Sequence, residues 1–120
     1  MPTSTAHAVP CPDVTRAALL PSGSMPGAAL GMGQTRSLTL YFDGRTSTGI
    51  REIDAGTFRT TQGPYLEFLH VVSGDATIVS DDGEVHEIGP GSAVTLRPEW
   101  TGRWVVRETV RLTVARVYDS

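Results

Sequence analysis

The sequence predicts an all-β sandwich or barrel, and three observations lead there. Short apolar or alternating runs follow one another closely from Ser37 onward. Gly, Pro and Asp-Gly pairs separate them, and no segment carries a convincing helical period. No solenoid-type repeat is visible.

In chain order, Ser37–Phe42 alternates weakly and stops at Asp43-Gly44. Thr48–Ile53 runs toward Gly56, and the short Thr57–Thr60 is broken at Gly63-Pro64. Leu66–Val72 is strongly apolar and stops at Ser73-Gly74. Ala76–Ser80 and Glu84–Ile88 flank Asp81-Asp82-Gly83, a hairpin signal. Gly89-Pro90-Gly91 turns into Ala93–Leu96, which Arg97-Pro98 closes because proline cannot donate to a ladder. Gly102–Arg107 and Val110–Tyr118 complete a set of eight or nine strands.

Residues 1–35 read differently. They hold five of the eight prolines and only two charged residues, Asp13 and Arg16. Such a segment buries too little apolar surface to offset its ordering entropy. A flexible Pro/Ala/Ser-rich N-terminal arm is expected over 1–35 and a barrel domain over 36–120. Val14–Leu20 offers one short helical turn ended by Pro21. Leu19, Leu20, Leu30 and Met32 leave open an arm that docks on a partner subunit.

Composition narrows the function. A net charge of -3 and a pI near 5.5 argue against nucleic acid, which needs clustered cations. All 10 basic residues are arginine, a residue suited to planar, bidentate contact with carboxylates. Cys11 is the single cysteine, so no internal disulfide forms, and no cationic neighbour activates it as a nucleophile. No long apolar run predicts a membrane span, and the start lacks a signal peptide's basic and apolar regions. A cytoplasmic setting is the corresponding expectation.

Several ordered pieces carry a resemblance. They are Thr48-Gly49-Ile50 with Ala55-Gly56-Thr57-Phe58-Arg59, Glu67 through Gly74, Asp82-Gly83-Glu84, and Gly89-Pro90-Gly91-Ser92-Ala93. Pro98-Glu99-Trp100-Thr101-Gly102-Arg103-Trp104 and Glu108-Thr109-Val110-Arg111 complete them. In this order they resemble the small single-domain cupins, over about residues 40–118. Within these they resemble the group of the ureidoglycine aminohydrolase barrel and of an ethanolamine-utilisation protein. The resemblance implies a cupin-type jelly-roll β-barrel. It also implies a metal held by three histidines and one acid converging on one point.

The chain departs from that ligand set. Glu67 matches the acid, but Thr60, Thr61, Gln62 and Gly63 stand where the His-x-His pair belongs. His7 is in the arm, and His86 is in a hairpin. His70 lies an odd number of residues from Glu67, on the opposite strand face. Counting from Pro98, the second-motif histidine position is Arg103. No metal site or cofactor is therefore expected. A divalent transition metal remains the alternative, with Glu67, His70 and His86 as its weak candidates and Gln62 as a further donor.

The resemblance implies that Glu67 points into the barrel, where a buried carboxylate needs a counter-charge or a proton. Arg103 is expected to supply that charge, either as a purely architectural salt bridge or with donors to spare for an anionic ligand. Tyr65, Gln62 and Trp104 join Glu67 and Arg103 as candidate ligand-binding residues of the barrel interior.

Three functions compete. The first is a metal-free cupin that binds a small, possibly anionic, molecule in a pocket lined from Val71, Leu69, Val94 or Leu96. The second is a divergent metal-dependent hydrolase or lyase acting on ureides or other small nitrogen compounds, with Glu67 as ligand or general base. The third is a structural barrel with a filled interior. All three predict a homodimer, for which Leu66, Phe68, His70 and Val72 share one strand face.

Overall fold

The structure, a computed structural model, describes residues 8–118. Its eight strands are β1 (Leu20–Ser24), β2 (Gln34–Phe42), β3 (Thr46–Ile53), β4 (Gly56–Thr61), β5 (Tyr65–Ser80), β6 (Val85–Ile88), β7 (Ala93–Leu96) and β8 (Thr101–Tyr118). All pairings are antiparallel. Among the described residues no helix is long and apolar enough to cross a membrane.

The two long strands form the spine. β5 and β8 pair from Tyr65↔Tyr118 to Ser80↔Gly102, with three register shifts between Val71 and Ala76. Both strands bend there, and the sheet divides into two layers. One layer is β1-β2-β3-β8-β5-β7 and uses the Tyr65–Val71 half of β5. The other is β4-β8-β5-β6 and uses the Ala76–Ser80 half. Gly74 sits at the bend with φ 101°, and a Cβ there would strike the Thr109 carbonyl. Only glycine adopts that backbone without strain. Ser73-Gly74 is thus a corner within one strand, not the strand end that turn chemistry suggests. The result is the expected all-β jelly-roll arrangement.

The core lies between the layers. Phe58, Ile78, Trp104 and Val106 of one layer meet Ile53, Leu69, Val71, Val110 and Leu112 of the other. The Phe58 and Trp104 rings stack at 6.5 Å and 18°.

Much of the expected arm carries defined structure. Residues 14–16 form a turn, and the Asp13 carboxylate accepts from the Thr15 amide. Arg111 donates to the carbonyls of Val14 and Ala17, and its third edge meets Glu52 at 2.7 Å. The segment therefore lies on the outer face of β3 and β8. Ile50, which faces outward there, is only 1% exposed. Further on, Leu20–Ser24 pairs with β2, and Met25 joins the core. A boundary between residues 35 and 36 falls inside β2. His7 and the rest of 1–7 lie outside the described residues.

Candidate functional site

A cavity of about 210 Å³ opens in the barrel between the layers. Strand alternation brings its polar lining together. On β5, Tyr65, Glu67 and Leu69 face inward while Leu66, Phe68 and His70 face outward. Register then selects the partners: Glu67 is flanked by Arg116 on β8 and Leu96 on β7, and Arg51 on β3 is flanked by Leu112. Thr60 and Gln62 close the site from the other layer, and Leu96, Trp104 and Leu112 form its apolar wall.

Glu67 is 6% exposed. Arg116 Nε donates to Glu67 Oε2, and Gln62 Nε2 approaches Oε1 at 3.4 Å. The Arg116 guanidinium also lies 4.6 Å from the centre of the Tyr65 ring, within cation–π range. Burial opposes the Arg116 charge, but the Glu67 charge and the hydrogen bond with Tyr118 outweigh it and raise its pKa.

Arg51 is in the opposite situation. Burial first, and repulsion from Arg116 second, lower its pKa, with Glu67 offsetting part of that. Among the described residues its side chain donates one hydrogen bond, to Met25 Sδ at 3.5 Å, a weak acceptor. Thr60 Oγ1 is buried without any hydrogen-bond partner among the described residues. The cavity wall thus carries two cations against one carboxylate, together with an unused hydroxyl.

The structure separates the sequence candidates. Glu67, Tyr65, Gln62 and Trp104 line the cavity. Arg103 does not: it is exposed, across from Arg59 and Val79. The reason is alternation. Trp104 points inward against Phe58, so its neighbour on the strand must point out. The expected Glu67–Arg103 pair is replaced by Glu67–Arg116. His70 is exposed on the outer face, and His86 is exposed beside Glu84.

Arg51, Thr60 and Arg116 are the residues that sequence reasoning missed. Arg116 was legible, because it shares strand parity with Leu112 and Val114. Arg51 was not, because its neighbour Ile50 looks like the core residue of that strand and is instead buried on the outer face, on the side where Val14 lies.

The resemblance to cupins implies a metal, so the donor set needs testing against one. Among the described residues no group of three His, Cys, Asp or Glu could hold an ion. The cavity lining contains neither histidine nor cysteine, and Arg116 occupies the one carboxylate. These donors do not fit a divalent cation, which needs neutral imidazoles or several oxygens free to coordinate.

Comparison with known proteins places this architecture. The pattern of the EutQ-like cupin domain matches residues 40–118. No curated protein matches the sequence. Among solved structures, the polyketide cyclase RemF from Streptomyces resistomycificus superposes with a TM-score of 0.67 at 21% identity, covering 93% of this chain and 81% of that one. A putative ethanolamine utilization protein Q from Salmonella typhimurium gives 0.66 at 17%, covering 82% and 79%. A protein of unknown function from Pseudomonas syringae gives 0.77 at 18%, covering 88% of this chain but 46% of that one. At these identities the likeness shows a shared fold.

Proposed function

We propose that this chain, which belongs to the EutQ-like cupin family, binds a small organic anion in its barrel without the metal usual in cupins. One observation carries the reading. Arg116 takes up Glu67, and Arg51 faces the cavity with no carboxylate in ion-pair distance among the described residues. A desolvated guanidinium with open donors is costly until it meets an anion. Its planar fork matches a carboxylate bidentately. The Thr60 hydroxyl offers a further hydrogen bond. The apolar wall suits a short hydrocarbon or ring. A cavity of about 210 Å³ lies below the roughly 300 Å³ at which drug-sized sites begin, so the ligand is a small metabolite.

Isothermal titration with phenylacetate tests this. Binding is expected, with Arg51→Met weakening it on the order of 10- to 100-fold, as loss of a charge-assisted hydrogen bond of about 1.5–3 kcal/mol requires. Binding that ignores Arg51→Met sinks the reading.

The resemblance to ureidoglycine aminohydrolase-type cupins supports a second reading, a divergent hydrolase or lyase acting on ureides or other small nitrogen compounds. Its support is a carboxylate, Glu67, buried on the cavity wall beside Gln62. Elemental analysis of protein purified without a metal-affinity step separates the two. One transition metal per chain would favour the enzyme.

Either reading includes a homodimer. Leu66, Phe68 and Val117 are exposed on one outer face, an apolar area that a second copy would cover. Light scattering that gives a monomer mass at micromolar concentration would exclude it.

A further inference from the structure

The inner face of the larger layer is chemically graded from one edge to the other. Three rows of cross-strand neighbours make the gradient. The first runs Ser37, Arg51, Leu112, Val71. The second runs Thr39, Gly49, Val114, Leu69, Val94. The third runs Ser47, Arg116, Glu67, Leu96. Hydroxyls therefore lie on the β2–β3 side, guanidinium groups in the middle, and, apart from the Glu67 carboxylate that Arg116 engages, hydrocarbon on the β5–β7 side. Gly49 keeps the centre of the hydroxyl-to-hydrocarbon path free of a side chain. A Cβ there would also strike the Leu38 carbonyl, so the gap is built into the backbone.

The gradient coincides with a second cavity. A space of about 240 Å³ lies over Ser22, Ser37, Thr39 and Ser47 and shares Arg51 and Arg116 with the barrel cavity. The two arginines therefore stand between the barrel cavity, with its apolar wall of Leu69, Leu96 and Trp104, and a hydroxyl-lined space. Ser22 is engaged with Thr35 at 2.9 Å. Among the described residues, no side-chain hydrogen bond occupies the hydroxyls of Ser37, Thr39 or Ser47.

We infer that the ligand is bipartite and belongs to the 2-hydroxy carboxylates with an apolar side chain. This rests on the anion reading above and goes beyond it by fixing what flanks the anion. The carboxylate lies on Arg51, and the apolar group enters the barrel toward Leu69, Leu96 and Trp104. The 2-hydroxyl turns to Ser37 and Thr39, and Ser47, four residues from Arg51 along β3 and beside Arg116, lies beyond its reach. A hydroxyl one carbon from the carboxylate reaches Ser37 and Thr39 because Ser37 is the direct cross-strand neighbour of Arg51. The selectivity is modest, since Ser37 is half-buried and Thr39 is exposed. One neutral hydrogen bond of this kind changes affinity by about two- to tenfold.

Phenylacetate and the two mandelate enantiomers are the test probes, since they differ only by the 2-hydroxyl. Titration of the full chain should show one mandelate enantiomer binding about two- to tenfold tighter than phenylacetate. In a Ser37→Ala/Thr39→Val variant that ratio should fall toward one, whereas Ser47→Ala should leave it unchanged. Circular dichroism confirms that both conservative variants are folded. If phenylacetate binds through Arg51 and neither mandelate binds tighter, the bipartite ligand is wrong and the anion site stands. A preference that survives Ser37→Ala/Thr39→Val also overturns it. If no probe binds at all, both readings fall.

Discussion

Replacing Arg116 by methionine removes the counter-charge of the most deeply placed carboxylate in the barrel. Methionine keeps much of the aliphatic stem, so the loss is mainly electrostatic. The Glu67 side chain is 8% exposed and that of Arg116 25%. Removing one partner of a buried pair costs about 3–5 kcal/mol, because the remaining charge is stranded. Two features put this site at the lower end. Arg116 is partly solvated, and Gln62 at 3.4 Å continues to support Glu67. The expected loss is about 3 kcal/mol, or roughly 12 °C in Tm at about 4 °C per kcal/mol for a domain of this size. Urea and thermal unfolding followed by circular dichroism give both numbers. The double variant Arg116→Met/Glu67→Gln strands no charge and should recover about 2 kcal/mol of the loss. A single variant within about 0.5 kcal/mol of the parent would refute the reasoning. So would a double variant whose cost equals the sum of the singles.

Two further outcomes follow from the outer face. The Arg36 hydrogen bond, opposed by burial and helped by Thr109, lowers the Asp54 pKa below its ordinary value. Its stabilisation is complete above the unfolded carboxylate pKa and is lost as pH falls through the lower folded one. Asp54→Asn should therefore flatten the stability–pH curve below about pH 4, measured by urea midpoints. Arg111→Met frees the carbonyls of Val14 and Ala17 and strands Glu52 from one of its two arginines. Trypsin should then cut at Arg16 more than tenfold faster while residues 34–118 stay protected, which mass spectrometry of the digest reports.

Several features were legible in the residues alone because short-range physics decides them. Period-two apolar runs, Asp-Gly and Gly-Pro turns and the absence of a helical period determined an all-β chain. That Glu67, Leu69 and Val71 share one face follows from alternation within one strand, and the cupin resemblance pointed that face inward. The missing His-x-His pair is a matter of composition. Alternation also speaks against Arg103 and Trp104 sharing the interior, and the burial of Trp104 resolves that conflict.

What remained depends on contacts between residues far apart in sequence. Ser73-Gly74 has the chemistry of a strand end, but pairing with β8 carries the strand through it as a corner. Arg116 becomes the partner of Glu67 only through the β5–β8 register. Arg51 turns inward while Ile50 is buried on the other face, where Val14, 36 residues away in sequence, lines the same surface pocket. Local sequence determined which residues alternate. Tertiary structure decided which alternate face is the interior, because a side chain's burial is set by what packs against it and not by its own strand.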